Sequence, residues 1–318
     1  MINSILDKFG YLDKNNDQYL YLYIAIPKTA VGTITSNILN NKGSNTILHP
    51  YTSRKEIVNF ICNKSENNRM NIENIIQENT ELLKRSWIAE YINSLGSEQR
   101  KKIICIIDHQ VYYGMHELFE KPARYITFLR EPLSMFISLY NYMLTVRVTL
   151  ERLRQSRIMD EHNNIRDLDT WLEQADLFQF TMTCFLSQMY CAEDLLPNEY
   201  IRSISDQPNA KKLLDAMWIV GLTENEEDVL FVYNCMGVNH YMPDMHVLSK
   251  NASYRRPTNI TRSREILRSR YPEEWEIYEK AVELNREFKI RYKNFSKAVA
   301  YTKLRRNISK IIRSVIHR

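Results

Sequence analysis

The feature that most limits how this chain can fold is the apolar, β-prone run from Tyr19 to Ile26. It meets Pro27, then passes through Lys28, Thr29, Ala30, Val31, Gly32 and Thr33 into a helical pattern over Ile34 to Asn41. A strand, a tight turn and a helix start in this order set the first main-chain amides of the helix at the strand's carboxyl end. Those amides have no partner within the helix, and the helix dipole favours an anion beside them. Lys28 adds a positive charge, and Thr29 and Thr33 add hydroxyl donors. The competing reading is an ordinary strand-to-helix turn with an exposed lysine, since short motifs of this kind recur by chance.

The nucleotide-binding loop G-x-x-x-x-G-K-[ST] is absent, because no glycine precedes the lysine; the stretch reads as a P-loop relative with its lysine at the front. Only 7 glycines occur in 318 residues, which gives weight to Gly32. The length allows one large domain or two modest ones. A formal charge of +5 suits an anionic ligand without arguing for nucleic acid. Cys62, Cys105, Cys184, Cys191 and Cys235 are odd in number and form no C-x-x-C pair, which fits free thiols in a reducing compartment. No cationic-then-apolar leader opens the chain and no apolar run approaches a bilayer span, so the expectation is a soluble, cytoplasmic protein with no stable membrane insertion.

Along the chain, residues 1–18 read as a polar lead-in, and Ser53 to Asn63 and Met70 to Leu95 show helical periodicity around a polar loop at Asn63 to Arg69. Lys101 to Asp108 and Arg124 to Leu129 are short apolar runs of the kind that form buried parallel strands. Helices of this length between strands imply βαβ units and a parallel sheet. Pro132 to about Leu195 is helical apart from a polar break at Met159 to Arg166. Trp218 to Leu222 reads as the last strand and Glu224 to Met236 as a helix. Residues 238–262 read as irregular, and Ser263 to Arg318 as helical and basic from Lys303 onward.

Strand 124–129 leads directly to Arg130, then to Pro132 at the first turn of a helix that carries Ser138 two turns in. Open α/β sheets bind ligands at the carboxyl ends of their strands, and an arginine fork with a nearby hydroxyl is a good receptor for a second phosphate. Pro27 to Thr33, followed by Phe128-Leu-Arg-Glu-Pro132 and Ser138, resembles the paired signatures of sulfotransferases that use 3′-phosphoadenosine-5′-phosphosulfate (PAPS). The nearest likeness is to the branch of heparan sulfate 2-O-sulfotransferases and their bacterial homologues. Asp108 to His116, Pro122 to Arg130 and Val220-Gly-Leu-Thr-Glu224 extend the resemblance over roughly residues 20–295. Gly32 stands where that family usually has threonine, Val31 where it has a small residue, Asp108 where it has glycine, and Met135 where it has a second arginine.

The resemblance implies an α/β fold with a P-loop-like central parallel sheet flanked by helices, in a single domain over 1–318. Within it, 19–145 would bind PAPS and 146–215 would be a helical insertion on the acceptor side. Residues 216–318 would bring the final strand, a loop closing over the nucleotide, and C-terminal helices. Lys28, Thr29, Ala30, Val31, Gly32, Thr33 and Ile34 would hold the 5′-phosphosulfate, with Lys28 nearest the bridging oxygen. Arg130 and Ser138 would take the 3′-phosphate, and Arg255 and Arg256 would belong to the closing loop. His109 would be the general base, PAP the product, and no metal would be needed.

His109 follows a buried strand, and an imidazole titrates close to neutral pH, so its chemistry agrees with that role; the alternative is a histidine that caps a strand. Asp108 is a weak candidate to orient it, because neighbouring strand residues face opposite sides. His116 reads as either a second site histidine or a structural residue near a helix start. His240 and His246 read as structural, and the basic end reads as a docked helix with its charges in water, the alternative being contact with a membrane surface or an anionic substrate. Tyr140, Tyr142, Trp171, Phe178, Phe180 and Tyr190 are either an apolar acceptor wall or core. The expected acceptor is a soluble, natural-product-like small molecule with a free hydroxyl or amine. The alternatives are sulfation of a glycan or glycolipid, a P-loop kinase, and a non-catalytic nucleotide binder.

Overall fold

A computed structural model of the protein describes residues 18–29, 31–42, 47–48, 56–57, 60, 85–145, 153–154, 156–190, 207–238 and 259–316. Its centre is β1, Leu20–Ile24, every residue of which is buried. A strand with both faces covered reads as a continuous apolar run, and β1 is one. Leu20, Leu22 and Ile24 face one core, and Tyr21 and Tyr23 face the other.

Four more strands, β2 (Ile47–Leu48), β3 (Cys105–Asp108), β4 (Ala123–Leu129) and β5 (Ile219–Leu222), complete a parallel sheet in the order β2-β3-β1-β4-β5. Ile24 lies level with Asp108 of β3 on one side and Thr127 of β4 on the other. Flanking helices make this an α/β fold. After β1, helix α1 (Val31–Lys42) packs Ile34 and Ile38 into the tyrosine-side core. Helices α2 (Arg85–Ser94) and α3 (Ser97–Lys102) precede β3. After β4, helix α4 (Pro132–Thr145) packs Leu133, Phe136 and Tyr140 into the opposite core.

The chain leaves β1 toward the β2 edge and leaves β4 toward the β5 edge. The helices that follow these two neighbours therefore cover opposite faces. That is a topological switch point, where open parallel sheets have their ligand crevice. Its two tips are Lys28 and Arg130.

Residues 146–215, expected to form a helical insertion, hold α5 (Leu168–Gln174), α6 (Met182–Tyr190) and α7 (Gln207–Asp215). After β5 come α8 (Glu226–Cys235), α9 (Ile260–Arg270), α10 (Pro272–Arg291) and α11 (Phe295–Ile316). Asp167 caps α5 through its side chain, and Asn225 and Asn259 do the same for α8 and α9.

Several expectations shift. Lys101 and Lys102 end α3, where cations suit the helix dipole, so the third strand starts at Cys105 instead. The helix after the first turn begins at Val31, three residues before the apolar periodicity starts, because the first turn of a helix needs no buried face. Residues 260–262 are helical rather than irregular. The polar break at Met159 to Arg166 is closed by an antiparallel bridge between Met159 and Ile165. Within Pro132 to Leu195 the helix is also interrupted between α5 and α6, where a short 3₁₀ turn covers Phe178–Phe180. The lead-in, the loop at 63–69, residues 70–84, and most of the helix read over 53–63 lie outside the described residues. Cys105, Cys184 and Cys235 are buried free thiols, while Cys62 and Cys191 lie outside the described residues.

Candidate functional site

The turn after β1 is closed by Thr29, whose amide and hydroxyl both donate to the Ile26 carbonyl (3.4 and 2.7 Å). Thr29 is fully buried, and its hydroxyl proton is committed to this turn, so the side chain shapes the loop from beneath. Lys28 adopts φ 67°, a left-handed conformation uncommon for a residue with a Cβ. Such a conformation persists where surrounding contacts over-determine it. Two contacts do so. The Lys28 carbonyl accepts from Arg130 Nη1 (3.2 Å), and the Lys28 ammonium lies 3.8 Å from the centre of the Tyr142 ring.

Burial, and after it the nearby Arg130 charge, push Lys28 down to about 8 from the ordinary lysine value of 10.5. The cation–π contact works the other way, holding the charged form. Helix α1 starts at once after the turn with no acidic side chain in its first turn, so its free amides keep their attraction for an outside anion. Gly32 is exposed, and a Cβ built there would meet nothing within 4 Å. No contact inside the fold requires glycine at this position. Val31 and Thr33 lie in α1 with side chains outside the described residues, Ile34 points into the core, and Ala30 is outside the described set.

Arg130 follows β4, and Glu131 separates it from α4, which starts at Pro132. Glu131 accepts from the Ser134 amide (2.7 Å) as the cap of that helix and pairs with Arg264 of α9 (3.3 Å). Its own amide donates to Glu224 (2.8 Å), just beyond β5. Glu224 thus ties the tip of β5 to that of β4, while Thr223 donates its amide to Leu129 (2.9 Å). Ser138 lies on the partly exposed stripe of α4, one turn before Tyr142 and one after Ser134. Arg255 and Arg256 lie outside the described residues, as do His240 and His246.

His109 directly follows β3, and its Nδ1 makes a short hydrogen bond with the Ala25 carbonyl at the end of β1. A carbonyl can only accept, so Nδ1 carries the proton and the neutral ring presents Nε2 as an acceptor. Ala25 is therefore the group that orients this imidazole. The Asp108 carboxylate instead accepts from the Gln110 amide (3.0 Å), two residues on. His116 sits away from the tips: its Nδ1 lies 2.9 Å from the Tyr125 hydroxyl, beside the stacked Tyr113 and Tyr190 rings.

No family model matches this chain, and no curated protein matches it either.

Of the six aromatics read as either acceptor wall or core, Tyr140 and Trp171 are fully buried core, with their polar atoms bonded to the carbonyls of Arg166 and Ser156. Phe180 lies near Lys28, in a crevice completed by Pro27, Met135, Leu139 and Phe185. That crevice has a volume of ≈ 10 Å³, room for about one water. Met135 is buried among these apolar groups. Among the described residues no helix is long and apolar enough to cross a membrane. The basic last helix lies on α8, where Lys303 pairs with Glu227 (2.8 Å) and Arg306 with Glu226.

Sequence reasoning passed over the Ala25 carbonyl and the Glu131–Glu224–Arg264 group, and it grouped Tyr142 with the acceptor-wall aromatics without placing it beside Lys28. Tyr142 had a faint signal, a tyrosine four residues after Ser138. The others depend on pairings between distant segments, which no local pattern carries.

Proposed function

We propose that the protein is a sulfotransferase, moving a sulfuryl group from PAPS to a hydroxyl or amine of a soluble small molecule in the cytoplasm. The observation that carries this reading is the convergence of Lys28, Arg130 and His109 on one rim of the sheet, at its switch point. Two cations on adjacent strand tips suit a ligand with two separated phosphates. The strand, turn and helix around Lys28 are P-loop-like in this reading.

PAPS supplies, when bound, an activated sulfuryl group on a phosphate able to depart. Lys28 and the first amides of α1 would meet the charge that grows on that phosphate, the kind of fixed electrostatic stabilisation that dominates group transfer. Arg130, with Ser138 on the adjoining helix face, would hold the 3′-phosphate. His109 Nε2 would take the proton from the acceptor as its oxygen or nitrogen bonds to sulfur and the sulfur–phosphate oxygen bond breaks. The anion-binding groups fit this ligand in kind and place. The narrow crevice beside Lys28 does not admit a nucleoside, so the reading requires the nucleoside to lie along the outer side of the tips.

Incubation with PAPS and a panel of hydroxyl- and amine-bearing metabolites, read by mass spectrometry, tests the reaction and the acceptor class together. Gain of one sulfuryl group on a small molecule supports the proposal. Transfer only to oligosaccharides would favour the glycan reading, and transfer of phosphate from ATP with magnesium would replace it with a kinase.

A further inference from the structure

Arg154, Arg157 and Arg166 line one cavity of ≈ 610 Å³, within the range of small-molecule sites. Each guanidinium is held by a neutral acceptor. Arg154 donates through Nε and Nη2 to Asn163 Oδ1 (3.1 and 2.6 Å), Arg157 to the Gln174 carbonyl (3.1 Å), and Arg166 to the Arg157 carbonyl (2.9 Å). Among the described residues none of the three pairs with a carboxylate. Three guanidinium groups thus face one cavity without a direct ion pair among the described residues, Arg154 and Arg157 exposed and Arg166 partly buried.

Two acidic residues share the lining, yet they do not neutralise it. Asp160 turns its carboxylate to the amides of His162 and Asn164 (2.9 and 2.7 Å), and those bonds hold it below the usual carboxylate range. Glu161 is exposed at the rim, and among the described residues its one ion-pair partner is His162, at 3.7 Å.

The cavity is separate from the strand tips. Tyr140 of α4 donates to the Arg166 carbonyl (2.6 Å), while Tyr142 of the same helix touches Lys28. Two residues on a helix stand about 200° apart, so α4 lies between the two sites.

We propose that this cavity is a second anion-binding site, which takes a phosphate-bearing small molecule. Asp160 and Glu161 offset part of the arginine charge, so what selects the ligand is the number of oxygens it can offer to the three forks. A phosphate or diphosphate group carries the charge and the oxygens to engage several forks at once. This inference is independent of the sulfotransferase reading.

The test is calorimetric titration with inorganic pyrophosphate at low ionic strength, on full-length protein carrying Lys28→Ala and Arg130→Ala so that the strand tips do not contribute. Pyrophosphate binds this background, and Arg154→Gln or Arg166→Gln weakens it by at least about tenfold. Glu161→Gln tightens binding by removing a rim charge, a gain that damage to the fold cannot produce. Absence of binding in the double-alanine background overturns the proposal, as does affinity indifferent to all three substitutions. Tighter binding of citrate than of pyrophosphate overturns the phosphate assignment.

Discussion

Arg130 donates a hydrogen bond to the main-chain carbonyl of Lys28 (3.2 Å), so two residues 102 positions apart hold each other at the switch point of the sheet. Their side-chain charges repel, and that repulsion helps lower the Lys28 pKa. An arrangement that keeps two cations together is most stable when an anion joins them.

Lys28 is pushed down to about 8 in the folded protein, from 10.5. The unfolded chain therefore binds more protons between those values, and this residue's contribution to stability rises as pH climbs through that window. An anion at the site favours the charged form, so binding of 3′-phosphoadenosine 5′-phosphate should take up protons near pH 8 and weaken above it. Titrations in buffers of different ionisation enthalpy read the uptake, and Lys28→Arg should abolish it.

His109→Ala should lower sulfuryl transfer by about 10²–10⁴-fold while leaving nucleotide affinity nearly unchanged. Single-turnover kinetics with a fixed acceptor measure both.

Gly221 in β5 sits against the Phe128 ring, and a Cβ built there would overlap the ring atoms. Phe128 is itself fully buried and packs edge-on to Tyr23. Gly221→Ala should therefore cost about 1–3 kcal/mol by overpacking. Phe128→Leu in the same chain should recover part of the loss, and urea unfolding measures both variants.

Glu274 of α10 is buried and accepts from the Met182 and Thr183 amides (2.7 Å each), capping the start of α6. Burial pushes its carboxyl up to about 7, against an ordinary 4.5. The raised value means its stabilising contribution is full below about 4.5 and lost as pH rises through about 7. Glu274→Gln should flatten that dependence, and Glu274→Ala should destabilise by about 1–3 kcal/mol by orphaning two amides. Thermal melts across this pH range decide it.

Four of the five strands were legible because they are short, largely apolar runs, and Lys28 and Arg130 were legible because each follows one; β2, two residues long, carries no such pattern. That the two meet was implied only by the family resemblance, and the parallel register of β1 with β4 is what sets their strand tips side by side. Other parts were hidden. Thr29 looks like a ligand donor in sequence, but its hydroxyl closes its own turn. Nothing near His109 names Ala25, 84 residues earlier, as its partner. Tyr140 and Trp171 share their chemistry with the aromatics beside Lys28, and only burial tells them apart.

The most direct measurement is calorimetric titration of 3′-phosphoadenosine 5′-phosphate, without magnesium, into wild type, Lys28→Ala, Arg130→Ala and the double variant. If one nucleotide bridges the two tips, the wild type binds it and each single substitution weakens binding at least about tenfold. Their combined effect then departs from additivity, as for groups sharing one ligand. Equal affinity in all four proteins, or binding of ATP–magnesium alone, would contradict it.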